Sequence, residues 1–340
     1  MKAQAAMIAL TLGLSTAAQA QDVTPVTIDN FAQAESDLYF GNAIKEAGGI
    51  GKFFHNRAPV ALDKQLVIRM NRDTLYSSAV FDLDVGPVTI TLPDPGKRFM
   101  SMQIISEDHY APMVVYAPKT VTLTKQNVGT RYAMAAVRTL ADPNNSEDLK
   151  QVATLQDAIK VSQPGGPGKF EVLNWDTQQQ KEIRDAVLAL AKYNSGFDNA
   201  MGTRGHVDPI KHLIVTAGGW GANPDKDARY ASITPAKNDG KTIFKMNVPA
   251  KVPVDGFWSI TVYDAKGFFE KNAYDAYSVN NITAKKNTDG GVTIQFGGCD
   301  GKIANCLPIT DGWNYTVRLY RPREDVLDGK WEFPAAQPTG

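Results

Sequence analysis

Asn71, Asp73 and Tyr76 stand close together in "NRDTLYSS" (71–78), at the point where a run of alternating apolar residues begins. Asn and Asp side chains bond their own backbone two residues on, so the triplet Asn71-Arg72-Asp73 reads first as a turn that launches a strand. The same residues could instead wall a cleft for a polar ligand, with Asp73 free for acid–base work. A second grouping is "SEDHYAP" (106–112), where Asp108 and His109 offer a carboxylate beside a group that titrates near neutral pH. Successive strand residues point to opposite faces, so Asp108 cannot orient His109 from within a strand. The third is "AGGWGANPDKDARY" (217–230), a glycine-rich loop carrying Trp220, Arg229 and Tyr230. An indole face beside charged partners suits a sugar ring; the alternative is a plug that covers the end of a sheet. Asp73, Asp108 and His109 are thus the candidate acids and bases. Asn71, Asp73, Tyr76, His109, Trp220, Arg229 and Tyr230 are the candidate ligand contacts.

Other chemistries lack their residues. The histidines are His55, His109, His206 and His212. The pair in "HVDPIKH" has neither HExxH nor i,i+4 spacing, and Pro209 between them is expected to break a helix, so no metal site is expected. No nucleophile elbow, dinucleotide fingerprint or phosphate loop occurs, and no cofactor is expected. Lys plus Arg and Asp plus Glu both number 36, a balance that gives no electrostatic footprint for nucleic acid. Residues 1–20, "MKAQAAMIALTLGLSTAAQA", carry a basic start, a short apolar run and a small-x-small end. That pattern predicts a secretory signal cleaved near Ala20-Gln21, with no membrane span after it. Cys299 and Cys306, the two cysteines, are then expected to form a disulfide closing a small loop.

Period-two patterning must position these groups. It fills two blocks, 66–140 and 241–321, with turn residues between the runs. In "TLYSSAVFDL", Leu75, Ser77, Ala79 and Phe81 share one face and Tyr76, Ser78 and Val80 the other. In the second block Trp258, Ile260 and Val262 share a face, as do Trp313, Tyr315, Val317 and Leu319. Helices are expected over 31–47, stopped by Gly48-Gly49, behind a Ser146 cap, and after Asp176 or Thr177. "SQPGGPGKF" (162–170) reads as a linker. The expected fold is mainly β: two antiparallel β-sandwich, jelly-roll-like units with helices at the N-terminus and between them. The expected divisions are 21–162, a helical and glycine-rich connector over 163–240, and 241–335.

Two segments resemble known families. "NRDTLYSSAVFDL…PVTITLPDPGKRFMSMQIIS" resembles domain-of-unknown-function family 1254. FWS-x-T-x-YD, YS-x-N, W-x-Y-x-x-R-x-YRP and LDG-x-W, from Phe257 to Trp331, look like family 1214. The resemblance implies a β-rich, exported protein and brings no catalytic motif with it. Arg72 stands where such proteins often have Asn or another polar residue, and Cys306 where they commonly have Trp. The resulting expectation is a periplasmic or secreted protein, homo-oligomeric or not, that binds a small polar or carbohydrate-like ligand in a cleft between two β domains. The alternatives are a cofactor-independent envelope hydrolase or lyase, and a structural or assembly protein.

Overall fold

The computed structural model describes residues 22–65, 68–194 and 196–339; the expected leader lies outside them. The N-terminal half contains strands β1 (Phe54–His55), β2 (Thr74–Asp82), β3 (Val88–Leu92), β4 (Met100–Ser106), β5 (Met113–Tyr116), β6 (Lys119–Leu123), β7 (Tyr132–Leu140) and β8 (Lys160–Ser162). They form a five-stranded sheet, ordered β1-β2-β7-β4-β5, and a three-stranded sheet, β6-β3-β8. Alternation on β2 and β3 drives the stacking of the two. Ala79, Phe81, Met102, Ala135 and Val137 on the large sheet close a core against Val88, Ile90, Leu92 and Leu123 on the small one.

The C-terminal half repeats the plan with β9 (Ala228–Ile233), β10 (Phe244–Val248), β11 (Trp258–Tyr263), β12 (Ser278–Asn280), β13 (Val292–Phe296), β14 (Cys306–Leu307), β15 (Asn314–Tyr320) and β16 (Gln337–Pro338). Sheets β14-β13-β10-β16 and β12-β11-β15-β9 enclose Trp258, Ile260, Trp313, Tyr315, Val317 and their neighbours. The expected faces are the faces observed. Cys299 and Cys306 are joined, with Cα atoms 5.7 Å apart. One strand sits outside its expected division: residues 228–233, assigned to the connector, form β9 and pair with β15 along its length. The fold is mostly β, as expected, with helices near the N-terminus and between the sheet groups.

Helix α1 (Phe31–Ala47) ends at Gly48, whose φ of 68° places it in the left-handed region where glycine is unstrained. The short α2 (Lys125–Val128) carries a Thr124–Asn127 capping box. For α3 (Ser146–Asp157) the cap is Asn145 and not Ser146; its side chain accepts from Glu147 N and Asp148 N. Asp176 caps α4 (Thr177–Ala191) in the same way. The helix α5 (Pro209–Gly218) corrects an expectation: Pro209 opens a helix and does not break one. It stands in the first turn, where its missing N–H has no partner to lose, and Asp208 caps it. A final short turn, α6, spans Glu324–Leu327.

Helix α1 covers part of the large sheet's outer face, packing Phe40 and Ala43 on Val80, Ile105, Tyr132 and Met134. It also buries carboxyls. Glu35 pairs with Arg184 of α4. Asp37 accepts from Trp175 Nε1 at 2.8 Å and lies beside Glu107, and burial with that neighbour pushes its carboxyl up to about 7. More of the outer face meets the loop after α5, through Gln103 on Ala222 O, and the second sandwich, through Arg321 over the Tyr116 ring.

Candidate functional site

The two β units confront each other through polar rows. Across the first sheet, register pairs Tyr76 with Arg138, Arg138 with Ser101, and Ser101 with Tyr116. Paired residues point the same way, so these four side chains form one row, roughly 14 Å long at about 4.8 Å per strand. Across the second, Asn280 pairs with Ser259, Ser259 with Arg318, and Arg318 with Tyr230. Each row lies on the face turned away from its own sandwich core.

Hydrogen bonds join the faces. Asn71 Nδ2 donates to Tyr320 Oη at 3.0 Å, and Asn280 Nδ2 donates to Asp73 Oδ1 at 3.0 Å. Arg318 donates to the carbonyl of Arg69 and to Tyr263 Oη, which in turn donates to the carbonyl of Met70. The opening triplet makes the turn expected of it, and also a link that was not expected. Asn71 Oδ1 accepts from Asp73 N at 2.8 Å, an Asx turn, while the same two side chains fasten β2 to the other unit. Arg72 also reaches the other unit, lying over the Tyr277 and Phe269 rings, and donates to Val60 O.

Charge is the notable feature. Arg138 is 6% exposed and Arg318 4%. Arg138 donates to Gln103 Oε1 at 2.8 Å and to Gly221 O at 2.7 Å, and its guanidinium lies 5.5 Å from the Tyr76 ring centroid. All of those partners are neutral. Arg318's hydrogen-bond partners are neutral as well, although Asp73 lies near enough to act on it through its charge. A buried cation with no counter-charge is expensive, and the tyrosines register it. Burial pushes the Tyr76 phenol up, but Arg138, Thr74, Asn71 and Arg318 outweigh it and the net shift is downward. Tyr320 moves the other way, driven well up by burial and by the neighbouring Tyr230 and Tyr76 phenols. Asp73 Oδ2 and Ser259 Oγ, both buried here, have no hydrogen-bond partner. Each such atom costs about 1–3 kcal/mol, the kind of local inconsistency found at working sites. Tyr76 and Ser78 keep partial exposure on this face, and Tyr230 is 44% exposed, its hydroxyl held by Asn223.

An aromatic wall bounds the row. Phe99 packs on Phe257 and Tyr320, with centroids 5.1 and 5.4 Å away, and Tyr320 stacks on Phe257 at 4.2 Å. Gly256 permits the approach, since a Cβ there would lie 2.6 Å from Tyr320 O. Beyond the wall is a cavity of about 450 Å³ with walls from both units.

The sequence candidates divide between this junction and the opposite end of the sheet. Asn71, Asp73, Tyr76 and Tyr230 come together here. Asp108 and His109 do not: Thr74 is level with Leu140 on β7 and Ser106 with Ala133, a separation of roughly 23 Å along the strand. The three candidate acids and bases thus fail to converge. His109 is fully buried, and both ring nitrogens are engaged. Thr216 Oγ1 donates to His212 O, so it accepts from His109 Nδ1–H, while Gly221 N–H donates to Nε2. Burial and the His212 charge hold this imidazole neutral, well below its usual range. Asp108 pairs with Arg204. Trp220 is a plug, stacked on Tyr39 and His109 and edge-on to Phe40. Arg229 ties Asp198 to the carbonyl of Leu327. Sequence reasoning passed over Arg138, and it met Asn280, Arg318 and Tyr320 only as letters of the family motifs, without taking them as site residues. The available signal was an arginine in the middle of a strand whose neighbours are apolar.

Comparison with known proteins finds two family models that match separate segments of the chain. A model described as Protein of unknown function (DUF1254) matches residues 50–125, and one described as Protein of unknown function (DUF1214) matches residues 229–324. The crystal structure of the VPA0106 protein from Vibrio parahaemolyticus is similar over 92% of this chain and 98% of its own, at 16% identity and a TM-score of 0.68. An uncharacterised protein from Burkholderia cenocepacia is similar over 91% of this chain and 86% of its own, at 13% identity and a TM-score of 0.50. Both likenesses concern the fold alone. No curated protein matches the chain. The chain thus carries one segment that matches each of these two models.

Proposed function

We propose that this protein is exported and binds a small polar ligand carrying a negative charge between its two sandwiches, with Arg138 as the anchor. One observation carries the reading: Arg138 is buried in the centre of a polar row and hydrogen-bonded only to neutral groups, beside a tyrosine that stays partly open. A carboxylate there would supply the missing counter-charge through the planar fork that suits a guanidinium. Asn71, Asp73, Tyr230, Asn280, Arg318 and Tyr320 frame the place. A sugar acid fits the same chemistry, its ring against the phenols and its hydroxyls on the amides. Export is supported by the pattern of residues 1–20 and by the disulfide, which suits an oxidising compartment. Among the described residues no helix is long and apolar enough to cross a membrane.

Thermal unfolding with acetate, lactate, malonate and D-glucuronate, at matched ionic strength, tests the reading. A ligand that binds only the folded state adds about 2.7 kcal/mol at a hundredfold excess over Kd. At least one probe should stabilise the protein, and Arg138→Lys and Arg138→Met should remove the gain. The reading fails if chloride matches every probe.

A second reading, an acid–base enzyme of the lyase or hydrolase type, is favoured by two junction phenols that share one amide. Asn71 donates to Tyr320 Oη and acts on Tyr76, and the two phenols shift in opposite directions. Environments that drive two titratable groups apart suit one as proton acceptor and the other as donor. On that reading the working pair is Tyr76 and Tyr320, replacing Asp73, Asp108 and His109. Spectrophotometric titration at 295 nm checks it: one phenolate should form below the usual tyrosine range and vanish in Tyr76→Phe.

A further inference from the structure

The cavity on the far side of the Phe99–Tyr320 wall has a different chemistry from the polar rows. Its charged walls are Lys97, Arg98 and Arg321 against Asp148 and Asp255. The acids are already engaged. Asp148 is held by Arg98 in a two-point pair, and Asp255 by Arg323 at 2.7 Å. That leaves Lys97 and Arg321 as the lining charges without a salt bridge among the described residues, although the Asp227 carboxyl lies near enough to Arg321 to act on it through its charge.

Arg321 is set in place. Its backbone lies in the left-handed region at φ 52°, with its N–H on Asp227 O at 2.9 Å. Its guanidinium sits over the Tyr116 ring, 4.4 Å from the centroid. Tyr116 is itself fixed by a 2.7 Å hydrogen bond from its hydroxyl to Asp227 Oδ1. A preorganised cation of this kind loses little freedom when it takes up an anion. The lining also includes apolar side chains, Met100, Leu140 and Ile282, of which Ile282 is the exposed one. The volume falls within the range of small-molecule sites, roughly 300–1,000 Å³.

We infer that this cavity is a second binding site, for an organic anion with an apolar body, its oxyanion on Arg321 and Lys97 and its body against Leu140 and Ile282. The site shares no anchoring residue with Arg138 and does not depend on the reading given for that row.

Isothermal titration of the full chain with sodium benzoate, and separately with inorganic phosphate, tests this. Two variants are used: Arg321→Asn, since asparagine tolerates the left-handed backbone, and Lys97→Met at an exposed position. Wild-type protein should bind benzoate more tightly than phosphate, and each variant should bind benzoate at least tenfold more weakly. Benzoate binding should persist in Arg138→Lys, so failure of the Arg138 reading and failure of this one give different results. The inference is overturned if wild-type protein binds no benzoate, if phosphate binds equally well, or if benzoate binds Lys97→Met and a folded Arg321→Asn as tightly as wild type.

Discussion

Replacing Asp37 by Asn should stabilise the protein in a way that depends on pH. Asp37 is 4% exposed in α1, with Trp175 Nε1 on one oxygen, no partner on the other, and Glu107 alongside. Burial first, and then the Glu107 charge, push its carboxyl from 3.8 to about 7. An acid raised in this way binds its proton more tightly when folded. Its contribution is therefore fully present below the unfolded value and is lost as pH climbs through the folded one. About three pH units at 1.36 kcal/mol each give a loss of about 4 kcal/mol above pH 7. Asn cannot ionise, and its oxygen can still accept from Trp175. In urea denaturation the Asp37→Asn variant should match wild type near pH 4 and pull ahead by about 1.4 kcal/mol per unit up to pH 7. The gap should then level off at about 4 kcal/mol. Equal gaps at pH 5 and pH 8, or a variant less stable than wild type at pH 8, would refute the reasoning.

Further expectations concern the seam, the plug and the disulfide. Asn280→Ala leaves the buried Asp73 carboxylate without its donor and should cost about 2–3 kcal/mol in denaturant melts; a loss below about 0.5 kcal/mol would show that the contact is not holding the units together. His109→Leu strands the Gly221 N–H and removes the donor to Thr216 Oγ1, which keeps its bond to His212 O, and should cost about 2–4 kcal/mol from the two lost hydrogen bonds. Imidazole NMR should find His109 of the native protein still neutral well below pH 6.5. Removing the Cys299–Cys306 link, whose sequence separation is 7, by a double serine substitution should cost about 2.5 kcal/mol on the loop-entropy scale, read from the shift in denaturation midpoint.

What the sequence disclosed and what it hid follow from the same physics. The β2, β3, β11 and β15 faces were legible because one side of each sheet meets a dry core, which forces apolar residues into every second place. α1 was legible from its flanks, since Gly48 takes a backbone that other residues resist. β9 was missed because "ARYASI" turns Tyr230 and Ser232 toward the junction and lacks a clean apolar alternation. α5 was missed because Pro209 was weighed as a helix breaker, when Asp-Pro is also a cap followed by a first-turn proline. Arg138 passed as an incidental polar member of a strand run, and Arg318 entered only as a letter of a family motif. Their importance comes from the opposing unit, which covers in each case the face that a lone sheet would leave in water. Local patterning carries no record of that covering, so it could place Asn71 and Asp73 at a strand start without disclosing what they reach.

Crystals soaked in malonate would test the central claim most directly. The account predicts a carboxylate within hydrogen-bonding distance of the Arg138 guanidinium, facing Tyr76 between the two polar rows. Malonate density elsewhere in the molecule, with Arg138 still bonded only to Gln103 and Gly221, would contradict it.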